Sequence, residues 1–84
     1  MQGKMDVREA VKKAKEGLAT IFEGEGVSDL RLEEITFSQG PPTWNVTISF
    51  RRPSAFPLES DRTFKVVHIS DLTGELRSVS IRNL

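Results

Sequence analysis

Residues 44–51 read Trp44-Asn45-Val46-Thr47-Ile48-Ser49-Phe50-Arg51, apolar at every even position and polar at every odd one. A period of two belongs to a β-strand with one face in a core and the other turned away from it. This strand needs a layer to cover its apolar face, and the sequence upstream supplies one. Val7, Ala10, Val11, Ala14, Leu18, Ile21 and Phe22 recur at three- and four-residue spacing, while Arg8, Glu9, Lys12, Lys13, Lys15 and Glu16 fall mainly on the opposite side. That pattern predicts an amphipathic helix over residues 6–23. Asp6 is its expected N-cap, with Glu9 three residues on as a capping box asks, and Gly24 and Gly26 supply the stop. Gly17, inside the helix, is expected to admit a neighbouring backbone or a bulky sheet residue. Residues 1–5 read as a frayed start.

Between helix and strand, Leu30 and Leu32 are even and Ile35 and Phe37 odd, so strict alternation sends the two pairs to opposite faces. A bulge near Glu33 and Glu34 brings all four to the core side. Gln39-Gly40-Pro41-Pro42 is a turn. Beyond Arg51, residues 52–61 carry Pro53 and Pro57 and read as a loop or edge excursion. Residues 63–70 then form a third strand, with Phe64, Val66 and His68 on one face and Lys65, Val67 and Ile69 on the other. Asp71-Leu72-Thr73-Gly74 turns the chain into a fourth strand whose apolar members are Leu76, Val79 and Ile81. Short connections favour antiparallel neighbours. The expected fold is α+β, a single domain over residues 1–84: one N-terminal helix on one face of a four-stranded antiparallel meander at 29–82, in the order αββββ.

Composition narrows function. The 84 residues include 12 Lys and Arg against 12 Asp and Glu, no cysteine and one histidine, His68. Thiolate zinc sites, disulfides and cysteine nucleophiles are thereby excluded, and no metal or cofactor is expected. Apolar runs are far shorter than the roughly 20 residues that span a bilayer. No signal-peptide pattern opens the chain, so it reads as cytoplasmic, or as a cell-envelope protein if an export leader precedes it. Residues 1–42 hold six basic against eight acidic side chains and residues 43–84 six against four. That asymmetry is too mild for a dedicated nucleic-acid binder, whose affinity comes largely from neutralising phosphates.

Residues 64–76, Phe-Lys-Val-Val-His-Ile-Ser-Asp-Leu-Thr-Gly-Glu-Leu, resemble the PepSY family, small helix-plus-antiparallel-sheet domains of bacterial protease propeptides and cell-envelope proteins. The resemblance lies in a strand, an acidic turn with Thr-Gly and a returning strand. Ser70 stands where the family tends to have aspartate, and the proline-containing segment at 53–57 is long for the usual connection. The resemblance implies a non-catalytic binding or inhibitory module.

Other constellations read less sharply. Glu23, Glu25, Asp29, Glu33 and Glu34 lack the alternating spacing of a calcium loop, and Arg31 interrupts them. Glu33 and Glu34 are strand neighbours, which only a bulge brings together as a carboxylate pair. His68 with Ser49, Ser70 or an aspartate has the residue types of a triad but no nucleophile elbow. Asn45-Val46-Thr47 is a formal glycosylation sequon within a strand. Two surface sets remain. If strands two and three pair, the face away from the helix combines Asn45, Thr47, Ser49 and Arg51 with Phe64, Val66 and His68, a mixture suited to a protein partner. Alternatively, Arg51, Arg52, Arg62 and Lys65 gather to hold phosphate, nucleic acid or an acidic ligand, unless Glu59, Asp61, Asp71 and Glu75 neutralise them. The sequence thus predicts a non-enzymatic interaction or regulatory module. It binds a partner protein, or a second copy of itself, through the open sheet face or an edge strand.

Overall fold

The computed structural model describes residues 5–52 and 62–81. Helix α1 spans Val7–Ile21, and β1 (Ser28–Ser38), β2 (Thr43–Arg51), β3 (Arg62–Ser70) and β4 (Leu76–Ile81) follow. The strands form one antiparallel sheet in the order β1-β2-β3-β4. This is the expected meander with its helix on one face. Most of the 52–61 loop, together with residues 1–4 and 82–84, falls outside the described residues.

Asp6 caps α1 through its carboxylate, which accepts from the Glu9 amide at 2.9 Å. The helix stops two residues short of the expected end, because Phe22 leaves helical geometry as the C-cap and Gly24 and Gly26 take positive φ. Ala10, Ala14 and Leu18 are fully buried against Val46, Ile48, Phe50, Val67 and Ile69, and the Phe22 ring lies tilted by 46° against Phe50 with centroids 5.2 Å apart. Small residues on the buried stripe let the helix lie close to the sheet. Gly17 takes this furthest: a Cβ there would sit 2.5 Å from Leu76 Cδ1, so Leu76 is the bulky sheet residue that the glycine admits.

Several expectations are corrected. Met5, read as part of a frayed start, belongs to the core at 8% exposure; its unbranched side chain fills space beside Gly74. Val7 and Ile21, read as core, are about half exposed, because each sits in an end turn of the helix. The helix packs on β2 and β3, less on β4, and does not extend comparably over β1. Leu32 and Phe37 therefore stay 42% and 41% exposed although they face the helix side.

The β1 bulge is present: register shifts between Leu32 and Glu34, leaving Glu33 as the extra residue. Leu32, Ile35 and Phe37 then oppose Ile48, Val46 and Trp44, the apolar side of β2. A second irregularity, not anticipated, lies in β4. His68 pairs with Ser78 and Ile69 with Leu76, so Arg77 is the extra residue. This puts Leu76 and Val79 on one face despite their opposite parity. At the far end of the sheet, Trp44 Nε1 donates to buried Asp71 at 2.9 Å, and the Asp71 amide donates to Pro42 O at 3.1 Å. The β1–β2 and β3–β4 turns are thereby tied together.

Candidate functional site

Register decides what the uncovered face presents. Asn45 pairs with His68, Thr47 with Val66, Ser49 with Phe64 and Arg51 with Arg62. All seven residues read from the sequence as a partner surface thus share the side away from the helix. They are not equally accessible. Arg51 is exposed and Asn45, Phe64, Val66 and His68 are half-buried, but Thr47 and Ser49 are buried. The last two cannot supply direct contact area as expected. Ser49 is covered by the protein itself: its hydroxyl donates to Glu33, and Arg62 Nε donates to it at 3.0 Å.

Two hydrogen-bonded rows cross this face. In the first, His68 Nδ1 lies 2.8 Å from Asn45 Oδ1 and Nε2 lies 3.0 Å from Ser80 Oγ. Asn45 Nδ2 donates to Thr36 and Ser38, each at 3.3 Å. With the Asn45 nitrogen committed to β1, its oxygen accepts from His68, and the neutral imidazole is left with Nε2 as acceptor for the Ser80 hydroxyl. One chain of side chains therefore spans all four strands. Ser49 makes no bond to His68, and Ser70 uses its hydroxyl to accept the Leu72 and Thr73 amides at 3.2 and 3.3 Å. The serine and amide that His68 contacts are ones the triad reading did not name.

The second row is ionic. Arg62 reaches across β2 to β1, where its guanidinium donates to the Asp29 carboxylate at 2.9 Å and to the Asp29 carbonyl. Arg31 and Arg51 approach the same carboxylate at 3.1 and 3.7 Å. Asp29 adopts φ 55°, an uncommon conformation for a residue with a Cβ and one that aspartate tolerates. The Arg62 hydrogen bond, ahead of the Arg31 hydrogen bond and the charges of both arginines, holds the Asp29 carboxyl below its ordinary value despite an opposing desolvation effect.

The expected anion patch does not assemble as one surface. Arg51 and Arg62 join the Asp29 cluster, whereas Arg52 pairs with Glu25 and lies 5.5 Å over the Phe22 ring. Lys65 opposes Ile48 on the helix side. Among the described residues Asp29 and Glu25 neutralise these arginines, and Asp71 accepts from Trp44 instead, while Glu59 and Asp61 lie outside the described residues. Thr36, Ser38 and Ser80 are the site residues that sequence reasoning missed, and Asp29, Arg31 and Glu33 were read only within an acidic stretch and not as part of this face. The Asp-x-Arg spacing at 29–31 was its visible trace. Among the described residues, no group of three or more His, Asp or Glu is placed to hold a metal, and no helix is long and apolar enough to cross a membrane. Compared with family models, curated proteins and solved structures, the chain finds no match.

Proposed function

We propose that this protein is a non-enzymatic interaction module that binds a partner protein through the open face of its sheet. One observation carries the reading: Val66 and Phe64, half-buried, lie between the Asn45–His68 row and the Arg51–Arg62 row. Interfaces share this anatomy, an apolar centre within a polar rim, and side chains that already hold one another lose little freedom on binding. The resemblance of residues 64–76 to PepSY domains supports a binding role as well.

The test compares wild type with Phe64→Ala as bait, and then titrates each recovered protein in purified form. Phe64→Ala is expected to cost the fold about 1–3 kcal/mol, less than a fully buried aromatic because part of the ring is exposed, and, with thermal melts confirming that the variant is folded, to weaken binding by about tenfold or more. Equal affinity for both baits would overturn the open-face reading. A second reading rests on the three guanidiniums that share the Asp29 carboxylate, an arrangement that leaves positive charge for an anionic ligand. It predicts binding that falls steeply with salt and with Arg31→Ala or Arg51→Ala but is indifferent to Phe64→Ala.

A further inference from the structure

We infer that the partner presents an acidic side chain to Arg51 and Arg31 and, alternate to it along an extended segment, an apolar side chain to Phe64. The inference rests on the open-face reading and specifies the chemistry of its ligand. Within the ionic row the three arginines are engaged unequally. Arg62, with a side chain only 15% exposed, spends its whole guanidinium on the protein: Nε donates to Ser49, Nη1 to the Asp29 carboxylate and Nη2 to the Asp29 carbonyl. Arg31 turns Nε and Nη2 to the same carboxylate, at 3.3 and 3.1 Å. Arg51 is half exposed and meets Asp29 through Nε alone, at 3.7 Å. Among the described residues its two terminal nitrogens have no acceptor. A guanidinium whose outer fork is open is a bidentate site for a carboxylate. Asp29 already holds Arg31 and Arg51 at one carboxylate oxygen, so little freedom is lost when a ligand arrives.

Charge selects the ligand. The three guanidiniums are in contact with the carboxylate of Asp29 and, through Ser49, with that of Glu33. The contacts of the row thus hold one more positive group than negative ones, which matches a single carboxylate. They do not match a nucleic-acid backbone, whose binding needs a track of cations. Arg52 is paired with Glu25 instead, and Lys65 opposes Ile48 on the helix side.

Spacing selects the ligand's neighbour. Arg51 pairs with Arg62, and Phe64 stands on the same side one alternation further along β3, opposite Ser49. Diagonal neighbours of this kind lie about 7–8 Å apart. Alternate side chains of an extended segment lie about 7 Å apart. A carboxylate seated on Arg51 therefore brings the next side chain on its own side over the half-buried Phe64 ring, and Val66 continues the apolar strip by one more step.

Selection from a random displayed peptide library on the full chain tests this. Enriched peptides are expected to carry Asp or Glu alternate to an apolar residue. One such peptide, synthesised with Glu and with Gln at the acidic position, is then titrated into wild type, Arg51→Gln and Phe64→Ala, with thermal melts confirming that each variant is folded. Gln in the peptide and Arg51→Gln in the protein should each raise the dissociation constant by about tenfold, and the two together no further. Phe64→Ala should weaken both peptides alike. Enrichment without an acid, or an acid whose loss costs as much in Arg51→Gln as in wild type, would overturn the inference, and the open-face reading would survive if Phe64→Ala still weakens binding. Binding that Phe64→Ala leaves unchanged would overturn both. A library that enriches nothing would overturn the inference, as would inorganic phosphate that shifts the Arg31 and Arg51 amides as strongly as the peptide does, which would mark a site for small anions.

Discussion

Ser49 and Phe50 are neighbours on β2, both fully buried, and they are buried by opposite means. Phe50 lies on the helix side beneath Phe22, within a layer of Val46, Ile48, Val67 and Ile69. Ser49 lies on the other side beneath the arm of Arg62, between that guanidinium and Glu33. On the first side, apolar area leaves water and packing supplies the stability. On the second, polar groups shield one another and the gain per group is small, because each exchanges bonds with water for bonds within the protein. Burial alone therefore does not mark the core of this molecule. One side holds the fold together, and the other fixes the positions of side chains that a partner would meet.

The largest effect that would separate the two sides is Phe50→Ala. Removing a fully buried aromatic is expected to cost about 3–5 kcal/mol, a large share of the stability of so small a domain. Ser49→Ala, one residue away and equally buried, should cost about 1–2 kcal/mol, because it leaves the Glu33 carboxylate and Arg62 Nε without that partner. Urea denaturation of both variants measures the contrast. Equal costs would mean that the ionic row contributes to stability as the core does, and a neutral Ser49→Ala would mean that Arg62 does not rest on Ser49 in solution.

Much of the helix side was legible in the sequence because burial repeats with a period. The β2 alternation, the Ala10–Ala14–Leu18 stripe and the parity break between Leu32 and Ile35 each have one simple solution, and the structure adopts it. The Gly17–Leu76 approach was foreseen in kind, though not in partner. The misses occur where period carries no information. Met5 precedes the helix and has no phase to reveal it, and Arg77 hides as a bulge because one extra residue near a strand start resembles a later start. On the open face the sequence indicated which residues share a side. It did not indicate that Arg62 spans two strands to reach Asp29, since a long side chain's reach depends on register and on a left-handed turn at Asp29 that few sequences advertise.

The Asp29 cluster sharpens the comparison through pH. The carboxyl is held below its ordinary 3.8, so the folded state favours the ionised form more than the unfolded chain does. Its contribution to stability is present above that value and is lost as pH falls through the lower folded value. Melting temperatures of wild type and Asp29→Asn should therefore differ by a constant amount above about pH 5 and converge as acid protonates the folded carboxyl. The side chain is 40% exposed, so the difference should be small and should shrink in high salt. A gap that widens in acid would reverse the sign and remove Arg62 as the cause. The Phe50→Ala deficit has no such pH or salt dependence.

The smallest effect leaves stability untouched and reports only on order. In the row that spans the sheet, the Asn45 amide nitrogen is committed to Thr36 and Ser38, so its oxygen faces His68 and requires the proton on Nδ1. Neutral His68 should therefore carry its proton on Nδ1, with Nε2 accepting from Ser80. Nitrogen-15 shifts of the ring, recorded at a pH where it is neutral, distinguish the two tautomers. An Nε2-protonated ring would mean that Asn45 presents its nitrogen to His68 and its oxygen to the β1 hydroxyls, so the row would run with its donors reversed. Asn45→Ala should weaken the Nδ1–H form, because it removes the acceptor that Nδ1 faces. If it leaves the tautomer ratio unchanged, His68 is not oriented through β2, and the open face lacks the fixed row that distinguishes it from an ordinary polar surface.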